Sequence, residues 1–247
     1  MLRKLFYLAP FFLIMAGGIY LNRAYAHVYS YFYKTSNPNQ NLNYTIGNTR
    51  AYQTIRYAAL GDSLTAGVGA DNAQSTFPYL LAEKIAGKTA KVKLLNLGQP
   101  GAKSIDLINN QLMPLSSFRP DTITLCIGTN DMHNRVPLDE FEKNYRQILD
   151  ELEKYKKAKI IIANLPYLGA DNLIWPPYRS YFDGRIKQYN QVIDSLAKEK
   201  KLTLVNLYDK TKEQFKNNQK GFYSVDFYHP STAGYRLWND LIYASYR

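Results

Sequence analysis

The sequence predicts an α/β protein: a doubly wound three-layer α/β/α sandwich, with a five-stranded parallel sheet covered by helices on both faces. Three observations predict it. Short apolar runs alternate with longer helical stretches from about residue 55 to the C-terminus. The runs are continuously apolar rather than alternating, which is the pattern of strands buried on both faces. The chain has 247 residues, with 46% hydrophobic and 21% charged content, enough for one substantial core in the ordinary globular range.

Residues 55–60 form the first strand, stopped by Gly61. Residues 78–86 form a helix opened by Pro78, with Tyr79, Leu80 and Ala82, Glu83 on alternating faces. Residues 92–97 are a second strand, followed by a glycine-containing turn and a helix near 104–112. Residues 122–127 are a third strand, ended by Gly128. Pro137 opens a long helix over 138–155, whose Phe141, Tyr145, Ile148, Leu149 and Leu152 recur at helical spacing. Residues 160–165 are the fourth strand, and a loop rich in proline and aromatics follows over 166–182. A helix over 184–200, a fifth strand over 202–207 and a last helix over 231–243 complete the domain, read as 51–247. No internal repeat is visible. Residues 27–50 are rich in Tyr, Asn, Ser and Thr without apolar period, and read as a stem or irregular lead-in.

The N-terminus carries an address. Arg3 and Lys4 precede an uncharged, mostly apolar run over 5–21, and Ala24-Tyr25-Ala26 has the small-x-small form of a cleavage site. Residues 1–26 are therefore a signal peptide or a retained membrane anchor through 5–21, and the expectation leaves both open. Either way the basic end stays inside and the rest is exported: extracellular, periplasmic or anchored facing outward. Removing 1–26 lowers the net charge from +11 to +8. The remaining lysines are scattered, which suits a solvated cationic surface or loose attraction to anionic envelope polymers or lipid head groups. No nucleic-acid motif is present, so that partner is not expected. The single cysteine, Cys126, excludes an intramolecular disulfide and a cysteine-rich zinc site, and inside an apolar strand it reads as a small buried hydrophobe.

Function has to come from the strand ends, because this fold class hosts many chemistries. After the first strand comes Gly61-Asp62-Ser63-Leu64, after the second Asn96-Leu97-Gly98-Gln99-Pro100-Gly101, and after the third Gly128-Thr129-Asn130-Asp131. Just before the last helix comes Asp226-Phe227-Tyr228-His229-Pro230. In a parallel sheet the first three emerge on one edge. Each has a plain structural reading: Asn130 as a helix cap, Gly101 as a turn residue, Asp226 and His229 as a local turn. Together they supply a serine, a base, an acid three residues before it and polar donors on neighbouring loops, which is what a protonated hydroxyl needs to become a nucleophile.

The arrangement resembles the SGNH (GDSL) hydrolase superfamily of esterases and lipases, whose four letters are matched by Ser63, Gly101, Asn130 and His229, with Asp226 in the family's Asp-x-x-His pattern. The resemblance spans about residues 55–245 and implies a flavodoxin-like sandwich, in agreement with the strand–helix reading. It implies catalysis by Ser63, Asp226 and His229, and an oxyanion hole made by the Ser63 and Gly101 backbone N–H groups and the Asn130 amide. Gly98 competes for the second block, but Gly101 stands five residues after Asn96, as in the family. The Gly-x-Ser-x-Gly elbow of α/β-hydrolases is absent, because Thr65 takes the second glycine's place. Asp62 reads as structural. His133 and Trp175 are candidate substrate contacts. His133 could instead cap a helix, and the loop over 173–178 could be a lid, a pocket wall or a self-packed surface loop.

The expectation is an exported serine esterase acting on lipid, small acyl or O-acetyl esters through an acyl-enzyme, with no metal or organic cofactor and with unknown oligomeric state. An acyltransferase with the same residues, or a non-catalytic binding protein on this scaffold, are the alternatives.

Overall fold

A computed structural model describes residues 2–32 and 42–246. The centre of the fold is a sheet of order β1-β3-β2-β4-β5-β6. Its strands are β1 (Asn43–Gly47), β2 (Thr54–Gly61), β3 (Lys91–Asn96), β4 (Thr122–Cys126), β5 (Lys159–Ala163) and β6 (Thr203–Val205). β2 through β6 are all parallel, while β1 runs antiparallel to β3, with Ile46 opposite Val92.

The three-layer architecture is as expected, with six strands where five were predicted. The sixth is β1, from the stretch read as an irregular lead-in; residues 33–41 of that stretch lie outside the described residues. β1 is an edge strand and only Ile46 of its five residues is buried, so it leaves no apolar run in the sequence. β4 is the opposite case. All five of its residues are buried, as a central strand covered on both faces requires.

The helices are α1 (Leu2–Phe32), α2 (Ser63–Ala66), α3 (Phe77–Ala86), α4 (Ser104–Asn110), α5 (Met113–Phe118), α6 (Thr129–His133), α7 (Leu138–Leu152), α8 (Tyr178–Glu199), α9 (Leu207–Asn217), α10 (Gln219–Phe222) and α11 (Thr232–Tyr246). α3, α11 and α9 pack together on one side of the sheet, and α4, α7 and α8 on the other. α7 follows its sequence signal: Phe141, Tyr145, Ile148, Leu149 and Leu152 are buried, and Asp139 and Glu140 favour the positive end of the helix dipole. β6 is shorter than the predicted fifth strand, because Asn206 leaves it to cap α9, its side chain accepting from the Asp209 N–H.

α1 covers the stretch read as a signal peptide or membrane anchor and runs on to Phe32, inside the stretch read as a lead-in. It runs unbroken through the Ala24-Tyr25-Ala26 segment, and Ala24 is buried. Among the described residues no helix is long and apolar enough to cross a membrane.

Candidate active site

The site begins at the end of β2, where the backbone must turn sharply beside β4. A Cβ on Gly61 would lie 2.1 Å from the Cys126 carbonyl oxygen and 2.2 Å from Thr65 Oγ1, so only glycine fits. Buried Gln111 holds this turn from the α4–α5 connection. Its Oε1 accepts from the Gly61 N–H at 2.9 Å and its Nε2 donates to the Gly61 carbonyl at 2.8 Å. Ser63 then opens α2 as its first residue, at the carboxyl edge of the sheet, with 8% of its surface exposed.

The loop before α11 brings the second half. His229 Nε2 lies 3.0 Å from Ser63 Oγ, and His229 Nδ1 lies 2.6 Å from Asp226 Oδ2. The other carboxylate oxygen, Oδ1, accepts from Ser224 Oγ at 2.6 Å and from the N–H groups of Tyr228 and His229 at 2.9 and 3.0 Å. Burial alone would raise the Asp226 pKa, but the His229 partner, the Ser224 hydroxyl and the Tyr228 N–H outweigh it and bring it to about 2. An ionised Asp226 accepts at Oδ2, so His229 carries its proton on Nδ1 and presents Nε2 as an acceptor to Ser63. That assignment follows from the partners.

Two neighbouring loops bring polar donors to the same edge. Asn130, in the first turn of α6, donates one Nδ2 hydrogen to the Ala102 carbonyl at 3.0 Å, which leaves its second for another acceptor. The Gly98 N–H donates to Asn96 Oδ1 at 3.0 Å, whereas among the described residues no hydrogen bond takes up the Gly101 N–H or the Ser63 N–H. A Cβ on Gly98 would strike the Ala66 nitrogen at 2.3 Å, so Gly98 serves close packing of the two loops. Gly101 has open space around it and a φ of +84°.

Below the edge, Asp131 ties these loops together. Its carboxylate accepts from the Ser104 N–H at 2.8 Å and from Ser104 Oγ at 2.5 Å. Asp62 has a different environment. It is fully buried, Oδ1 accepts from the Leu64 N–H at 2.9 Å, and no bond of normal geometry reaches Oδ2 or the Thr129 hydroxyl. Burial raises its pKa to about 7, against the pull of Leu64, with nearby Asp131 adding to the rise.

The structure brings Ser63, Asp226 and His229 into one hydrogen-bonded chain. His133 lies beside it, with Nε2 2.5 Å from the Tyr228 hydroxyl and its ring 5.2 Å from that of Phe182. Desolvation on the protein side, and the neighbouring His229, lower its pKa and keep it neutral near pH 7 even though its outer edge is exposed. Trp175 is placed elsewhere: its ring is sandwiched against α1, stacked on His27 at 4.5 Å and on Tyr20 at 6.3 Å. Among the described residues no group of three or more His, Cys, Asp and Glu side chains could hold a metal ion.

Four supporting residues had not been singled out from the sequence: Ser224, Gln111, Ser104 and Asp131 in its role as a tie. Ser224, two residues before Asp226, carried a usable signal, since a short hydroxyl at that spacing commonly closes a local turn. Gln111 and Ser104 carried none, because their partners are 50 and 27 residues away.

Residues 59–237 match the model of the GDSL-like lipase/acylhydrolase family. The chain belongs to that family. Its members are carboxylic ester hydrolases, and the four blocks that match sit at the edge just described. A spore germination lipase, LipC, of Bacillus licheniformis is 24% identical over 78% of this chain and 96% of its own. Among solved structures, a lipase/acylhydrolase from Enterococcus faecalis aligns with a TM-score of 0.61 at 23% identity, over 76% of this chain and 93% of that one. An acetyl xylan esterase aligns with a TM-score of 0.61 at 24% identity, over 77% and 98%. These likenesses extend the family's fold to this GDSL hydrolase.

Proposed function

We propose that this GDSL hydrolase is an exported serine esterase that cleaves carboxylic esters through an acyl-enzyme on Ser63. One observation carries the reading: the unbroken relay from Ser63 Oγ to His229 Nε2 at 3.0 Å and from His229 Nδ1 to Asp226 Oδ2 at 2.6 Å. As Ser63 Oγ attacks the ester carbonyl carbon, its proton passes to His229 Nε2. Ionised Asp226 holds the ring and stabilises the imidazolium. The carbonyl oxygen gains negative charge among the Ser63 N–H, the Gly101 N–H and the second Asn130 amide hydrogen, donors fixed before the reaction begins. The tetrahedral adduct collapses by breaking the bond to the alkoxy oxygen, and that alcohol leaves with the proton from Nε2. Water then repeats the sequence on the acyl-enzyme, losing its proton to His229 and releasing the acid and Ser63.

Export is supported by the basic residues Arg3 and Lys4 ahead of an uncharged run over 5–21. The acyl groups that suit the reading are lipid, small acyl and O-acetyl esters, and relatives named as a lipase and as an acetyl xylan esterase span that range. The test is labelling by a fluorophosphonate probe, on the wild type and on Ser63→Ala, followed by a chain-length series of p-nitrophenyl esters. Labelling and hydrolysis that vanish together in Ser63→Ala are expected. Equal labelling of both proteins would sink the assignment.

A further inference from the structure

Helix α1 is built in two parts that obey different rules. In its C-terminal part a single stripe, Tyr20, Ala24, His27 and Tyr31, repeats at helical spacing and meets the domain. The Tyr20 hydroxyl donates to the Pro176 carbonyl at 2.8 Å, and His27 Nε2 lies 2.8 Å from the Asn172 carbonyl oxygen. Trp175 stacks on both rings, and Ala24 is buried at the contact. Tyr31 packs edge-on against Phe227 at 5.5 Å. Phe227 lies between Asp226 and His229 and holds a left-handed backbone at φ +54°. The C-terminal end of the stripe is therefore seated on the loop that carries Asp226 and His229.

Among the described residues, the part ahead of the stripe has no such seat. Every residue from 10 to 19, ahead of the stripe, is exposed. Phe11, Phe12, Leu13, Ile14 and Met15 are five consecutive large apolar side chains, each between 48% and 75% exposed. At 100° per residue, five consecutive positions point in every direction around the helix, so this is an apolar cylinder and not an apolar stripe. A groove on a protein, or a second helix, covers one stripe and leaves a polar face outward. Only a fluid apolar medium satisfies the whole circumference.

We propose that α1 is retained in the working enzyme, inserts its exposed apolar part into a lipid bilayer, and sets the Ser63 edge at that surface to act on acyl esters resident in the membrane. The inference rests on the esterase reading above. Ahead of the stripe, the described exposed residues 10–19 span about 15 Å of helix, and among the described residues no helix is long and apolar enough to cross a membrane, so the insertion proposed is from one side. Arg23 stands at the point where the helix leaves the apolar layer, and a chain of net charge +11 complements anionic head groups. Cleavage after Ala26 would remove Tyr20 and Ala24 and expose the Trp175 face they cover, so the stripe opposes reading 1–26 as a discarded leader.

The test uses the full chain and the double variant Leu13→Lys, Ile14→Lys, whose side chains are exposed. Three readouts are compared: sedimentation with vesicles of phosphatidylglycerol and phosphatidylcholine in equal parts, hydrolysis of a fluorogenic long-chain ester dissolved in those vesicles, and hydrolysis of soluble p-nitrophenyl acetate. The expected result is at least a tenfold loss of vesicle binding, a matching loss on the vesicle-borne ester, and no change on the soluble one. Vesicle binding that survives the lysines overturns the proposal. So does a lipid-free dimer that the lysines dissociate, which would assign the cylinder to a second copy of the chain. A mature chain in expressing cells whose mass lacks residues 1–26 overturns it as well. Absence of soluble-ester hydrolysis in the wild type would instead count against the esterase reading, leaving vesicle binding to report on insertion by itself.

Discussion

Asp62 and Asp226 are both buried, at 0% and 3% exposure, and they stand beside the two ends of the same Ser63–His229 hydrogen bond. Burial pushes both pKa values up, yet Asp226 comes out at about 2 and Asp62 at about 7. The difference lies in donors. Asp226 receives three hydrogen bonds on Oδ1 and faces His229 with Oδ2. Asp62 receives one bond on Oδ1, and none of normal geometry on Oδ2. A buried carboxyl is kept ionised by how many dipoles and charges meet it, and being next to a serine confers no role in activating it.

The largest effect should follow from neutralising the solvated-by-protein acid. In Asp226→Asn the amide oxygen stays at Oδ1, where Ser224, Tyr228 and His229 all donate, so its NH2 faces His229 Nδ1. That forces Nδ1 to accept and puts the ring proton on Nε2, where it cannot receive the Ser63 proton. A fall of about 10⁴-fold in kcat is expected on a soluble ester, with an unchanged circular dichroism spectrum. A loss under tenfold would mean that Asp226 does not set the tautomer. Asn130→Ala supplies an uncharged yardstick at the same edge: about a hundredfold lower kcat with little change in KM, as the loss of one oxyanion donor predicts. Ser224→Ala removes a single bond from Asp226 and moves it one step toward the condition of Asp62. Activity should fall by roughly tenfold or less, since a hydrogen bond to a charged group contributes about 1.5–3 kcal/mol and the other donors remain. The acid limb of its pH–stability curve should shift upward, read from urea midpoints below pH 4.

The strand ends were legible in the sequence because apolar runs there stop abruptly at Gly61 and Gly128, and because four blocks fall in order. The parallel sheet was legible for the same reason: β4 is apolar throughout and its burial is complete. β1 was not, since an edge strand with one buried residue leaves no periodic signal. Nor was the bracing of the site, because Gln111 grips Gly61 and Asp131 grips Ser104 across long separations, and a single polar residue in a helix looks alike whether it faces solvent or a buried carbonyl. Trp175 was recognisable as part of an aromatic loop, but only coordinates reveal that its ring meets Tyr20 and His27 of the N-terminal helix.

The smallest catalytic effect, and the sharpest separation of the two acids, is expected from Asp62→Asn. The amide keeps an oxygen for the Leu64 N–H and turns its NH2 toward the Thr129 hydroxyl, so kcat near pH 6 should stay within about threefold of wild type. Stability should respond more than activity. With a folded pKa of about 7 against 3.8 unfolded, the native state holds its Asp62 proton where the unfolded state has lost it, so this group makes stability fall as pH rises from about 4 to 7 and then level. Three pKa units correspond to about 4 kcal/mol as an upper order of magnitude. Asp226 has the opposite sign: its folded pKa lies below 3.8, so its contribution is present above that value and is lost as pH falls through about 2. Asp62→Asn should therefore gain stability over wild type at pH 8 by more than at pH 4.5, measured as urea midpoints at both. If the two gains are equal, Asp62 titrates alike in the folded and unfolded chain, and the contrast in donors between the two aspartates has no thermodynamic consequence.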